Sequence, residues 1–338
     1  MLIDNFNRKI DYLRLSVTDR CNLRCFYCMP KKGVKLINRK ELLTFEEIKR
    51  VVKIFTELGI KKVRITGGEP LIRENVLDLI KSITEIKGIE DISLTTNGIL
   101  LNKYLVQLYD LGVKRINISL DSLDPHKYRM ITGGGDIKKV MSSISNAIKI
   151  GINPVKINTV LTNFLDEDDI SWFIKLSIEK PVSIRFIEMM PTIVLDDVEC
   201  GRIRTAGNGA IITISKILLI MKKIGSYYKM EESIGYGPAF YYKLVGSKGS
   251  IGFILNNKEY CRYCTRIRLT PKGTVRLCLF SDDEFNIKAK IRSGAPDSII
   301  KGELVKFVKT KPESRIHCAK LNNQSNTEIP DYMNQIGG

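Results

Sequence analysis

The sequence predicts an α/β fold, an open and partial (β/α)6 barrel of the TIM type followed by a C-terminal extension. Three observations carry that reading. Short β-branched runs recur at about thirty-residue intervals, at 12–17, 62–66, 92–96, 115–120, 155–160 and 183–188, each followed by a helical pattern. Capping and glycine signals bound the helices between them. Four of the runs place one cation among apolar neighbours. Strands that alternate with helices pair in parallel through right-handed crossovers, and six units are too few to close an eight-stranded barrel.

The elements follow in order. The first run reads Leu13-Arg14-Leu15, and the helix after it opens at Thr44-Phe45-Glu46-Glu47, a capping box, and closes at Gly59. The second reads Val63-Arg64-Ile65 and runs into Gly67-Gly68-Glu69-Pro70; the third carries Thr95 and the fourth ends near Ser119. Gly112 and Gly151 stop the helices on either side of the fourth. The fifth reads Val155-Lys156-Ile157 and the sixth Ile184-Arg185-Phe186, with Met190 just beyond.

Charged residues usually face solvent. In a parallel barrel, however, helices cover the outer face, so a charge in mid-strand has only the interior to point into. Several cations converging there repel one another unless an anion lies between them, and a triphosphate meets that demand. A carboxylate such as Glu188 could pair with one of them instead. Thr95 and Ser119 stand at or near strand ends, where hydroxyls can hydrogen-bond a ligand across the barrel mouth. Gly67 and Gly68 let the backbone approach a ligand closely.

The loop after the first run contains Cys21-Asn-Leu-Arg-Cys25-Phe-Tyr27-Cys28. Three thiolates can hold three irons of a 4Fe-4S cube, leaving the fourth iron free to bind and reduce a substrate. A zinc site is the rival, but the only histidines, His126 and His317, stand at no ligand spacing from the triplet. Disulfides would require an oxidising compartment, and the first residues show no apolar run of a signal peptide. A second set, Cys261-x2-Cys264-x13-Cys278, again offers three thiolates, with Arg266 and Arg268 on one face if that segment is extended. It fits a second cube or a zinc ribbon completed by Cys200 or Cys318.

These motifs identify a resemblance. The triplet with Tyr27, together with Gly67-Gly68-Glu69-Pro70, is the signature of radical S-adenosylmethionine enzymes. The second set, Arg266 and Arg268, and the terminal Gly337-Gly338 are similar to the GTP 3',8-cyclase family, which opens molybdenum cofactor biosynthesis. The resemblance runs through most of 5–190 and again through 236–302. It implies two 4Fe-4S clusters, one on Cys21, Cys25 and Cys28 and one on Cys261, Cys264 and Cys278. S-adenosylmethionine would be bound through Tyr27, Gly68, Ser119 and Met190. GTP would be bound through Arg14, Arg64, Thr95, Lys156 and the segment Arg266, Ile267, Arg268; Arg185 joins them from the strand argument. Arg266 and Arg268 are also implied to take part in catalysis, and the glycine tail to enter the active site. The implied reaction begins with a 5'-deoxyadenosyl radical that removes the ribose C3' hydrogen of GTP; the carbon radical then adds to guanine C8.

Residues 1–190 read as the barrel, 191–235 as a linker, and 236–338 as the auxiliary-cluster region closing the barrel. Within these, 191–235 and 309–328 do not follow the family pattern, the polar run 322–326 reads as flexible, and Cys200 and Cys318 read as free thiols. The 338 residues, 43% of them hydrophobic, can bury a large core, and the longest apolar stretch, 210–221, is too short to span a bilayer. A formal charge of +17, from 54 basic and 37 acidic residues, favours anionic partners. The expected setting is cytoplasmic, with an electron donor, a downstream cyclic pyranopterin monophosphate synthase, possible homodimers, and neither membrane nor nucleic acid as partner. Rival readings are a peptide- or tRNA-modifying radical enzyme and a basic zinc protein that binds nucleic acid.

Overall fold

The computed structural model describes residues 1–30, 33–190, 211–256, 259–281, 283–314 and 332–337. All six expected strands form: β1 (Tyr12–Ser16), β2 (Lys62–Thr66), β3 (Asp91–Thr96), β4 (Arg115–Ser119), β5 (Val155–Leu161) and β6 (Val182–Glu188). Neighbours pair in parallel and in sequence order. Between them run α1 (Phe45–Glu57), α2 (Val76–Thr84), α3 (Leu101–Asp110), α4 (Pro125–Thr132), α5 (Ile137–Lys149) and α6 (Glu167–Glu179). Thr44 and Glu47 form the reciprocal capping box at α1. Gly59, Gly112 and Gly151 follow α1, α3 and α5 at φ of 102°, 86° and 92°, the left-handed conformation that ends a helix.

The sheet is larger than six units suggest. Residues within 191–235 form α7 (Ile214–Ile224) and β7 (Tyr227–Lys229); 191–210 lie outside the described residues, as do Cys200, Cys318 and the run 322–326. Next come β8 (Phe240–Leu244), β9 (Ser250–Ile254), β10 (Arg266–Leu269), β11 (Thr274–Arg276) and β12 (Glu284–Asn286). The strand order is β12-β11-β10-β1-β2-β3-β4-β5-β6-β9-β8-β7 in one mixed, twelve-stranded sheet that does not close. Both β9 and β10 run parallel to their neighbours β6 and β1, so the parallel core has eight strands, two of them supplied by the C-terminal region to opposite edges. Periodicity missed them because β9 and β10 are not followed by the long helical patterns that mark a βα unit.

The strands alternate as their pattern requires. Leu13, Leu15, Val63, Ile65, Leu94, Ile116, Ile118, Ile157, Ile184, Phe253 and Ile267 are fully buried on the face that the helices cover. Each such side chain contributes about 1.5–3 kcal/mol of burial, enough for the outer face to hold the fold while the inner face stays polar. The inner positions hold Arg14, Arg64, Ser93, Thr95, Asn117, Asn158, Arg185 and Arg268.

Candidate active site

A cavity of about 310 Å³ is lined by side chains from all eight parallel strands, among them Arg14, Arg64, Thr95, Ser119, Asn158, Arg185, Ile254 and Arg268. Eight flat strands would span roughly 34 Å. A single cavity can collect residues from all of them only if the sheet curls around it.

Three cations stand abreast in this wall. Arg14 pairs with Arg268 on one side and with Arg64 on the other. Burial, then Arg268 and Arg64, hold the Arg14 guanidinium well below its usual range. Burial also lowers Arg64, and brings Arg185 and Arg268 down to about 10. With Arg266, five arginines among the described residues line the cavity, against the carboxylates of Asp121 and Glu188. Neither carboxylate neutralises them: Glu188 accepts from the Asn256 backbone N–H at 2.7 Å, and Asp121 accepts from Tyr27 Oη at 2.7 Å and from the Val160 backbone N–H at 2.9 Å. Such an arrangement favours a polyanion.

Lys156 and Ile267 sit differently from the sequence expectation. Lys156 does not line the cavity; its Nζ donates to the Ile234 carbonyl, in the loop between β7 and β8. Burial, then Arg185, Arg64 and Arg115, bring it down to about 6, so it is largely neutral at pH 7. Ile267 alternates with the two arginines, and its side chain points into the outer core.

The first cysteine set occupies the loop that leaves the carboxyl end of β1. The glycine pair lies close against this loop. A Cβ on Gly67 would lie 2.7 Å from the Thr18 carbonyl oxygen, and one on Gly68 would fall against the Arg20 carbonyl. Gly68 N–H donates to Thr18 O at 2.7 Å and Glu69 N–H to Arg20 O at 2.8 Å, which moors the loop to the end of β2. Glu69, fully buried, accepts from Leu71 N–H, Thr96 Oγ1 and Asn97 N–H, and burial pushes it up to about 7. Burial, then Asp121 and the two other thiols, push Cys25 well up; burial and then Cys21 push Cys28 up to about 12. Three thiols this close resist joint ionisation until a cationic centre takes them, which is the demand an iron-sulfur cluster meets. None of the six described cysteines is in a disulfide.

The second set lies at the opposite end. Cys261 and Cys264 precede β10, whose Arg266 pairs with Tyr12 at the start of β1. Arg268 pairs with Arg276 and Leu269 with Val275, and continuing that antiparallel register brings Cys278 level with Arg266. All three cysteines line the cavity, whereas the first set touches it through Tyr27. The two sets are therefore separated by about one strand length, roughly 17 Å. Burial raises the Cys264 thiol, but Lys311 and Arg266 outweigh it and bring it down to about 7. Among the described residues no three His, Cys, Asp or Glu side chains gather as on one bound ion. A single zinc would hold its sulfurs roughly 4 Å apart, while a cube takes one thiolate per iron and spreads them further.

The tail reaches the same space. The terminal helix, Met333–Ile336, brings Met333 to the cavity wall, and Asn334 Nδ2 donates to the Asp19 carbonyl at 2.8 Å. Arg268 Nη1 donates to the Gly337 carbonyl at 2.7 Å; Gly338 lies outside the described residues. Gly337 has φ of 75°, and a Cβ there would lie 2.8 Å from Ser16 Cβ.

Of the sequence candidates, Arg14, Tyr27, Arg64, Thr95, Ser119, Arg185, Met190, Arg266, Arg268 and the second cysteines meet around one cavity. Sequence reasoning missed Asp121, Asn117 and Asn158. Asn117 Oδ1 accepts from Arg185 Nη2 at 2.6 Å, fixing that guanidinium, and Asn158 lines the wall. An asparagine between two isoleucines, as in Ile116-Asn117-Ile118, was the available signal.

Residues 15–176 match the Radical SAM superfamily and residues 182–316 match Molybdenum Cofactor Synthesis C. Streptococcus suis SuiB bound to S-adenosylmethionine shares the fold, with a TM-score of 0.60 at 13% identity over 96% of this chain and 76% of that one. The chain is thus an enzyme of radical S-adenosylmethionine type. It is 43% identical over 336 residues to the GTP 3',8-cyclase of Alkaliphilus oremlandii, covering 99% of each chain, and 44% identical over 318 residues to that of Thermodesulfovibrio yellowstonii, covering 92% and 94%. It belongs to the GTP 3',8-cyclase family.

Proposed function

We propose that this chain cyclises GTP to (8S)-3',8-cyclo-7,8-dihydroguanosine 5'-triphosphate, the first step of molybdenum cofactor biosynthesis. One observation carries the reading: a single cavity is lined by the second cysteine set, by five arginines and, at its other end, by Tyr27 of the first cysteine loop. Cys21, Cys25 and Cys28 would hold one 4Fe-4S cluster, and Cys261, Cys264 and Cys278 a second. The first, when bound, supplies an open iron for S-adenosylmethionine and the electron that cleaves it.

The chain's own residues then place and shield the reactants. Tyr27, held by Asp121, with Gly68, Ser119 and Met190, would position S-adenosylmethionine at the carboxyl end. Arg14, Arg64, Arg185 and Arg268 would hold the triphosphate, with Thr95 beside them. Arg266, next to Cys264, would orient the base. Lys156, fixed to the Ile234 carbonyl, would act through the β7–β8 loop. The Gly337 carbonyl on Arg268 sets the tail against this wall, where it helps exclude water. A one-electron donor and a downstream enzyme that consumes the cyclised triphosphate complete the reading. Among the described residues no helix is long and apolar enough to cross a membrane.

The test is anaerobic purification with iron and sulfide quantification, followed by incubation with dithionite, S-adenosylmethionine and each nucleoside triphosphate in turn. About eight irons per chain with 5'-deoxyadenosine formed only with GTP is the expected result. About four irons without nucleotide preference overturns both the second cluster and the substrate.

A further inference from the structure

The segment that leaves α8 (Asp297–Lys309) passes the second cysteine set carrying a lysine that lies outside the cavity wall. Lys311 is 3% exposed. Its Nζ donates to the Arg266 carbonyl at 2.9 Å and to the Leu277 carbonyl. Those carbonyls belong to the two stretches of chain that bear Cys264 and Cys278, so the ammonium occupies the seam where the set is assembled. No carboxylate among the described residues pairs with it. Arg8, the other cation on this seam, donates to the Cys261 carbonyl at 2.6 Å but is neutralised by Asp4 at 2.5 Å.

Carbonyl oxygens satisfy the hydrogens of a buried ammonium and leave its charge uncompensated, which is strongly unfavourable in a desolvated site. Among the described residues the anions within reach are the thiolates of the second set. Arg266 faces the cavity, where a ligand also competes for it, while Lys311 approaches from the protein side.

We propose that Lys311 is a positioning residue of the second cysteine set, the fixed counter-cation of its thiolates and of the cluster they hold, and that it raises the reduction potential of that cluster. The proposal rests on reading this set as a 4Fe-4S site. One electron, delivered by the reductant of the titration, makes the site one charge more negative and moves no atom. A buried cation close by favours that reduced state because solvent screens the attraction poorly.

The test compares wild type, Lys311→Met and Lys311→Arg in two ways: EPR-monitored redox titration of the anaerobically loaded proteins, and thermal melts of the loaded and iron-free forms. In Lys311→Met the second cluster should lose about tenfold in its reduced-to-oxidised ratio at fixed potential, about 59 mV for one electron, with the first cluster unmoved. Lys311→Arg should restore most of that loss. Iron-free Lys311→Met should melt no earlier than wild type, since the uncompensated charge is gone, while the loaded form should melt earlier. About eight irons with an unmoved potential overturns the proposal and leaves the cluster reading standing. An iron-free melt lowered as far as the loaded one makes Lys311 a structural staple and overturns it too. About four irons in the wild type removes the second cluster itself.

Discussion

At the carboxyl end of the parallel strands three cysteines lie within eight residues of one loop, beside the carboxylates of Asp121 and Glu69 and with every thiol pushed up. At the amino end three cysteines come from two stretches of chain, beside Arg266 and Lys311, and Cys264 is brought down. One end is electron-rich and waits for a cationic centre and a sulfonium cofactor. The other is cation-rich and faces an anionic substrate. On the proposed function the difference would be a division of labour: reductive cleavage at one pole, nucleotide recognition at the other, with the arginine wall between.

The sharpest way to break that division is to remove each set. Cys25→Ala should abolish 5'-deoxyadenosine formation, by more than about a thousandfold, because the hard step belongs to the cofactor. Cys264→Ala should keep measurable S-adenosylmethionine cleavage and lose the cyclised product; if both variants fail alike in a chromatographic assay of 5'-deoxyadenosine, the poles do not divide the chemistry.

Next in size is the tail. Gly337→Ala puts a Cβ against Ser16 at a positive φ and should detach the tail from Arg268, lowering turnover by about 10–100-fold while iron content stays at wild type. Loss of iron in that variant would show instead that the tail serves folding.

The wall itself comes third. Arg14→Met should raise the half-saturating GTP concentration by about 10–100-fold, the worth of one charged hydrogen bond, and should raise the thermal midpoint of the substrate-free protein because a buried repulsion disappears. A variant that binds weakly and also melts early would contradict the repulsion.

Lys156 gives a pH signature. Its folded value, about 6, lies below its ordinary 10.5, so the unfolded chain holds the extra proton between those values. Stability should therefore rise with pH across that window. Lys156→Met should melt a few degrees later than wild type near pH 6 and converge with it above about pH 10; parallel curves would mean the lysine stays charged.

The smallest effect expected is at Tyr27. Its phenylalanine variant leaves Asp121 with an unmet acceptor and should raise the apparent KM for S-adenosylmethionine by about 3–10-fold, read from initial rates.

Much of this was legible in the chain. The six inner strands, the helix that opens at Thr44 and the first cysteine set are local: a capping box spans four residues, a loop motif eight, and an alternation of two places Arg14 opposite Leu13 and Leu15 without any knowledge of partners. What the sequence could not show depends on register between distant segments. That β10 lies beside β1 sets Arg268 next to Arg14; that β11 folds back sets Cys278 beside Arg266; that Gly67 and Gly68 meet Thr18 and Arg20 makes the pair a mooring for the cysteine loop. Periodicity records which face a residue occupies, because backbone geometry fixes it within a few bonds. Which charges share a cavity is decided only when the sheet curls, since that depends on the register between distant strands, which local periodicity does not record.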